Sequence, residues 1–166
     1  MVKRDNTAQL WLGLAVTRVL LGVVFLWAFF DKLFGLGYAT TAEHSWLNGG
    51  SPTTGFLSHV QGPFESLFSG LSGVALVDWL FMLGLLGIGV ALVLGIGMRL
   101  AAWGGALLMV LMWAASLPLA NNPVIDEHII YAVVLLVLGW ALPQQQLSLA
   151  GWWKRQSFVK TNSWLQ

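Results

Sequence analysis

The sequence predicts an all-α polytopic membrane protein, an antiparallel bundle of four transmembrane helices with a long outer loop of short interfacial helices. Three observations carry this prediction. The 166 residues are 57% hydrophobic and only 9% charged, where a soluble domain has about 25% charged residues. The mean hydropathy is +0.75. Four apolar stretches, residues 10–30, 77–96, 100–119 and 124–142, have close to the roughly 20 helical residues that cross a hydrocarbon core of about 30 Å. By length the chain is one integral membrane domain, residues 1–166, with an outer lid loop at 33–76 and an interfacial tail at 143–166. Cysteine is absent. Disulfides, thiolate-bound metals, iron–sulfur clusters and a cysteine redox relay are thereby excluded for this chain.

The first stretch follows Lys3 and Arg4, as a signal peptide would. Its apolar run is too long for one and no small-residue cleavage site follows, so it reads as a retained span. Arg18 lies about two turns inside it. A charge at a span's centre costs roughly 2.5–3.5 kcal/mol on insertion scales, so such residues tend to face the bundle or snorkel to the interface. Arg18, Gly22, Phe25, Phe29 and Lys32 are spaced four, three, four and three apart. They share one helical face, with Arg18 and Lys32 about 21 Å apart along it. Asp31 and Lys32 close the span.

The loop at 33–76 is too long for a plain connection. Its aromatic residues, with a Gly-Gly-Ser-Pro turn at residues 49–52, predict short helices folded over the bundle as a lid. His44 and His59 lie in it fifteen positions apart. They lack a local ligand pattern, so no metal site is expected.

The second span opens at Asp78-Trp79, Asp78 as helix N-cap and Trp79 as interface anchor. Gly87, Ala91 and Gly95 repeat every four residues, as in a close-packing face. The third span starts at Arg99 after a very short turn, which makes spans two and three an antiparallel hairpin. Ala101 with Gly105 and Ala102 with Ala106 again place small residues four apart. The fourth span begins in Asn121-Asn122-Pro123-Val124-Ile125-Asp126-Glu127-His128. Asn as cap and Pro in the first turn predict a helix start there, with two carboxylates at the favourable end of the dipole. In the tail, Trp152 and Trp153 beside Lys154 and Arg155 suit a headgroup region.

Basic residues segregate. Lys3, Arg4, Arg99, Lys154, Arg155 and Lys160 fall on one side of alternating spans. Lys32 stands alone on the other, among Asp31, Glu43, Glu65, Asp78, Asp126 and Glu127. The positive-inside rule then places both termini in the cytoplasm and the lid outside.

Only His128 lies near a span, which disfavours a haem held by two histidines. The second and third spans carry only Ser116 as a polar group between their ends, which disfavours an ion pathway. What remains is an apolar pocket at the outer mouth with a few polar groups, the usual make-up of a small-molecule site. Lys32, Asp78, Asp126, Glu127, His128 and Tyr131 are its candidates. Donors for carbonyl oxygens and apolar walls for a tail suit a quinone.

Arg18 with Leu21-Gly22 and Phe25, then Asp31-Lys32-Leu33, Gly50-Ser51-Pro52-Thr53, Asp78-Trp79-Leu80-Phe81-Met82, Gly95-Ile96-Gly97-Met98-Arg99 and Asn122-Pro123-Val124-Ile125-Asp126-Glu127-His128 form a set. In this set, over roughly residues 10–153, the chain resembles the DoxX/DoxD family of small four-span prokaryotic membrane proteins. The resemblance implies a subunit like those of a thiosulfate:quinone oxidoreductase. It further implies a location in the cytoplasmic membrane of a prokaryote, within a respiratory or sulfur-oxidising system. Under it, Lys32 and His128 would bond quinone carbonyls, Asp126 or Asp78 would manage protons, and Arg18 would support the lower end of the groove, with Tyr131 near the mouth. No haem or iron–sulfur cluster is expected. Electrons would need a partner: a larger membrane complex, a homo-oligomer or an outer-side donor protein. No nucleic acid is expected. The alternatives are a non-catalytic scaffold that docks a partner, or a binding or transport protein for a small lipophilic solute.

Overall fold

The apolar stretches of the sequence become helices whose small and aromatic residues decide which faces meet. The computed structural model describes residues 3–141 and 146–165, with the side chains of residues 3–5 and 163 outside that description. The expected span end at Leu142, the tail start at Pro143 and the side chains of Lys3 and Arg4 therefore lie outside the described residues. Helices α1 (Lys3–Phe34), α4 (Ala75–Leu94), α5 (Met98–Ala115) and α6 (Glu127–Trp140) share one core. Two short helices, α2 (Thr54–Leu57) and α3 (Glu65–Ser69), with 3-10 turns at Ala42–His44 and Trp46–Asn48, build the lid. The tail carries α7 (Ala150–Trp153), α8 (Ser157–Thr161) and a 3-10 turn at Ser163–Leu165. The described residues contain no strand.

Among the described residues, three helices are long and apolar enough to cross a membrane: α1 from Asn6, α4 and α5. The fourth predicted span is shorter than expected. Helix α6 has 14 residues, about 21 Å at 1.5 Å per residue. The reason lies at its start. Asn122 Oδ1 accepts from the amides of Val124 and Ile125 at 2.9 and 3.1 Å, a side-chain turn that competes with helix. Pro123 thus sits in a turn and not in the helix. Asp126 is the N-cap, its carboxylate accepting from the amides of His128 and Ile129. Helix α5 likewise stops at Ala115, short of the expected 119, where Ser116 bonds back to the Met112 carbonyl.

Lipid tails are as apolar as leucine, so close packing and not water exclusion holds such helices together. The face Arg18–Gly22–Phe25–Phe29 of α1 is buried, as its spacing predicts. A Cβ on Gly22 would lie 2.9 Å from the Val93 amide nitrogen, and one on Gly89 would lie 3.0 Å from that of Leu26. These two glycines bring α1 and α4 into near-backbone contact. Gly105 faces Leu135 and Gly139 faces Ala102, which joins α5 to α6 in the same way. The small residues expected on α5 therefore do pack. Those expected on α4 do not form one face: a Cβ on Gly87 would meet nothing within 4 Å, while one on Gly95 would collide with Arg18 and Ser148. The face one step away, through Gly89, is the packing face. Helices α4 and α5, though joined by a tight turn, pack less closely than the α1/α4 and α5/α6 pairs.

Candidate ligand groove

The wide α4/α5 seam is a groove of about 1560 Å³, open along one side. Its middle is floored by Gly84, Gly87, Ala91 and Gly104. Glycines 87 and 104 face open space. The groove runs from the lid to the inner turn, where Ile96, Gly97, Leu100 and Trp153 line its end. That turn is tight because Gly95 and Gly97 both adopt φ above zero, at 67° and 56°, which glycine does without steric cost.

At the outer end the lid supplies polar groups. Lys32, Thr41, His44, Thr53 and His59 line the groove there. The Lys32 ammonium lies 5.9 Å from the centre of the Phe81 ring, a cation–π placement. His59 Nδ1 is 2.9 Å from the Gly55 carbonyl. A carbonyl only accepts, so Nδ1 carries the proton and Nε2 is the remaining acceptor of the neutral ring. His44 Nδ1 pairs with Thr41 Oγ1 at 2.9 Å.

Two buried carboxylates pin the lid over this end. Asp31, 1% exposed, accepts from the amides of Tyr38 and Ala39 at 3.3 and 3.0 Å. Asp78 accepts on one oxygen from Ser51 Oγ at 2.9 Å, Thr53 Oγ1 at 2.6 Å and the Thr53 amide at 3.3 Å. The expected N-cap role of Asp78 is thus corrected. Val74 is the N-cap of α4, and Asp78, a turn further in, reaches across to the lid instead of back to its own helix amides. Trp46 packs edge-on against Trp79, ring centres 4.6 Å apart, so the predicted anchor holds the lid as well.

The remaining candidates lie elsewhere. Asp126 Oδ2 and His128 Nδ1 are 2.8 Å apart at the start of α6, and neither lines the groove. Partial burial pushes the Asp126 pKa up. The hydrogen bond and charge of the His128 ring, with the amides of Ile129 and His128, outweigh this and hold it below the ordinary carboxylate value. Tyr131 packs half-buried against the main core, and Glu127 is exposed. Arg18 is buried at the inner end, where its Nη2 donates to the Leu147 carbonyl at 2.7 Å. The structure therefore places Lys32, His44 and His59 on the lining of one groove and leaves His128 off it. The two lid histidines and Trp153 were missed as groove residues because the folds of the lid and tail, not local spacing, place them there. The available sign was that the lid is too polar for lipid and too aromatic for a linker.

This arrangement of apolar membrane-crossing helices, pinned lid and lengthwise groove defines a polytopic helical membrane protein with a long, largely apolar groove. The DoxX family model matches residues 13–117, from α1 through the lid to α5. The chain belongs to the DoxX family. No curated protein and no solved structure gives a significant match to it.

Proposed function

We propose that this DoxX-family membrane protein is the quinone-binding membrane subunit of a quinone-linked oxidoreductase, in the cytoplasmic membrane of a prokaryote. The observation that supports the reading is the groove: apolar along its length, with a single ammonium, Lys32, and neutral donors gathered at one end. A quinone has the same asymmetry. Its carbonyl oxygens take hydrogen bonds and its isoprenoid tail takes apolar walls. In this reading Lys32, with the His44 and His59 rings beside it, faces the head group, and the floor of Gly84, Gly87 and Gly104 admits the tail. When bound, the quinone supplies the two-electron acceptor. The chain's own residues position its oxygens, and the lid histidines exchange protons with the aqueous side. Asp31 and Asp78 are committed to holding the lid. Asp126 and His128 lie off the groove lining and take no part in this reading.

The test is direct. The protein is extracted into nanodiscs without added quinone, its lipids are analysed by mass spectrometry, and a short-tail ubiquinone is titrated. Retained quinone, with at least tenfold weaker binding in Lys32→Met and Gly104→Leu, is the expected result. Equal binding in wild type and both variants would remove the groove from the reaction.

A second reading has its own support. The lid's outer surface exposes Tyr38, Leu47 and Leu67 at 77%, 64% and 60%. Such a surface suits an accessory subunit that docks a partner. Stoichiometric co-purification of a partner, lost in Leu47→Asp, with no quinone bound, would favour it.

A further inference from the structure

The quinone reading leaves unused a fully buried cation, Arg18, which is 1% exposed. Its surroundings give it a task. The guanidinium donates to the Leu147 carbonyl at 2.7 Å. It also packs so tightly against Gly95 and Ser148 that a Cβ on Gly95 would collide with both. Two residues on, the Leu149 amide donates to the Leu94 carbonyl at 2.8 Å, satisfying a carbonyl at the end of α4 that has no partner within its own helix. Leu147 adopts φ +50°, a left-handed conformation uncommon for a leucine. The chain is thus tied down at two points just before α7.

From this anchor α7 carries Trp153 to the inner end of the groove. The indole is fixed there: its Nε1 donates to the Leu165 carbonyl at 2.7 Å, and Phe158 packs edge-on at 5.3 Å. Beneath it Val159 is fully buried. From Phe81, over whose ring the Lys32 ammonium sits, to the end of α4 at Leu94 is about 20 Å at 1.5 Å per residue, less than a full hydrocarbon core of about 30 Å.

We propose that Trp153 is the end-stop of the groove and sets the longest tail it accepts, and that Arg18 is the positioning residue that holds the stop in place. This rests on the quinone reading of the groove. A tail longer than the groove meets Trp153 and has to bend out through the open side, which costs conformational freedom and displaces its inner units from the walls, so affinity rises with tail length and then falls.

The experiment uses the full chain in nanodiscs and ubiquinones of short, intermediate and long isoprenoid tail. For wild type, the long-tail quinone is expected to bind at least tenfold more weakly than the intermediate one. Trp153→Ala abolishes that drop, and Trp153→Phe restores it in part. Arg18→Gln also abolishes the drop and speeds hydrogen exchange at residues 147–149, which Trp153→Ala leaves slow. The same tail-length profile in Trp153→Ala as in wild type would overturn the end-stop, whatever Arg18→Gln does to folding. Slow exchange at residues 147–149 in Arg18→Gln would overturn the anchor alone. Failure of every tail length to bind wild type would instead overturn the quinone reading and the end-stop with it.

Discussion

At the residue scale, the polar side chains divide by what each carboxylate or cation is bonded to. Asp126 accepts from two helix amides and the His128 ring. Asp126→Ala is expected to destabilise the start of α6 by about 1 kcal/mol, the ordinary loss for a side-chain cap, read as faster amide exchange at Ile129 and Ile130. Its pKa is lowered in the folded protein, so the unfolded chain binds the proton more readily. The contribution is therefore complete above the ordinary carboxylate value of about 3.9 and is lost as pH falls through the lower folded value. Exchange at these amides should rise on acidification below about pH 4, and Asp126→Asn should flatten that rise. Asp78→Ala strips the acceptor from three lid donors. An unsatisfied buried donor costs about 1–3 kcal/mol, so proteolysis within residues 51–57 should become faster while α4 stays protected.

At the element scale, glycines on one helix have opposite roles. Gly89→Ala forces a methyl against Leu26 and should cost about 1–3 kcal/mol by overpacking. Gly87→Ala meets nothing and should be neutral or stabilising by up to about 1 kcal/mol, the helix propensity difference. Thermal unfolding in detergent separates the two. This contrast also marks how far the sequence could be read. The α1 stripe was legible because a single helix with a charge near each end has only one face to bury. The α4 face was not, because Gly87, Ala91 and Gly95 repeat as well as the true contact glycine does, and only the partner helix decides between them. The start of α6 was misplaced because Asn122 and Asp126 are both good caps. Asn122 lost because its oxygen closes a turn onto Val124 and Ile125. The site was least legible. Asp78 meets Ser51 across 27 positions and Arg18 meets Leu147 across 129, contacts that no local periodicity encodes.

At the scale of the whole molecule, the lid and the α5–α6 connection lie at one end of the bundle, and the α4–α5 turn and tail lie at the other. Six of the seven acids lie at the first end, all but Asp5. The tail, residues 143–166, contains no acid at all. This is the asymmetry from which the positive-inside rule proposes a cytoplasmic tail and an outer lid. A tag placed at Gly49, an exposed turn, should react with an impermeant reagent added from outside the cell. Labelling only from the cytoplasm would reverse the orientation. The short α6 has a consequence of a different kind. Its lipid side, Ile130, Val133, Val137 and Trp140, offers a hydrophobic height of about 21 Å, while α4 beside the groove offers about 30 Å. A fluid bilayer meets such unequal heights by thinning along the shorter side, at fractions of a kcal/mol per ångström of mismatch. Packing along the α6 flank is therefore expected to respond to lipid chain length more than packing along α4.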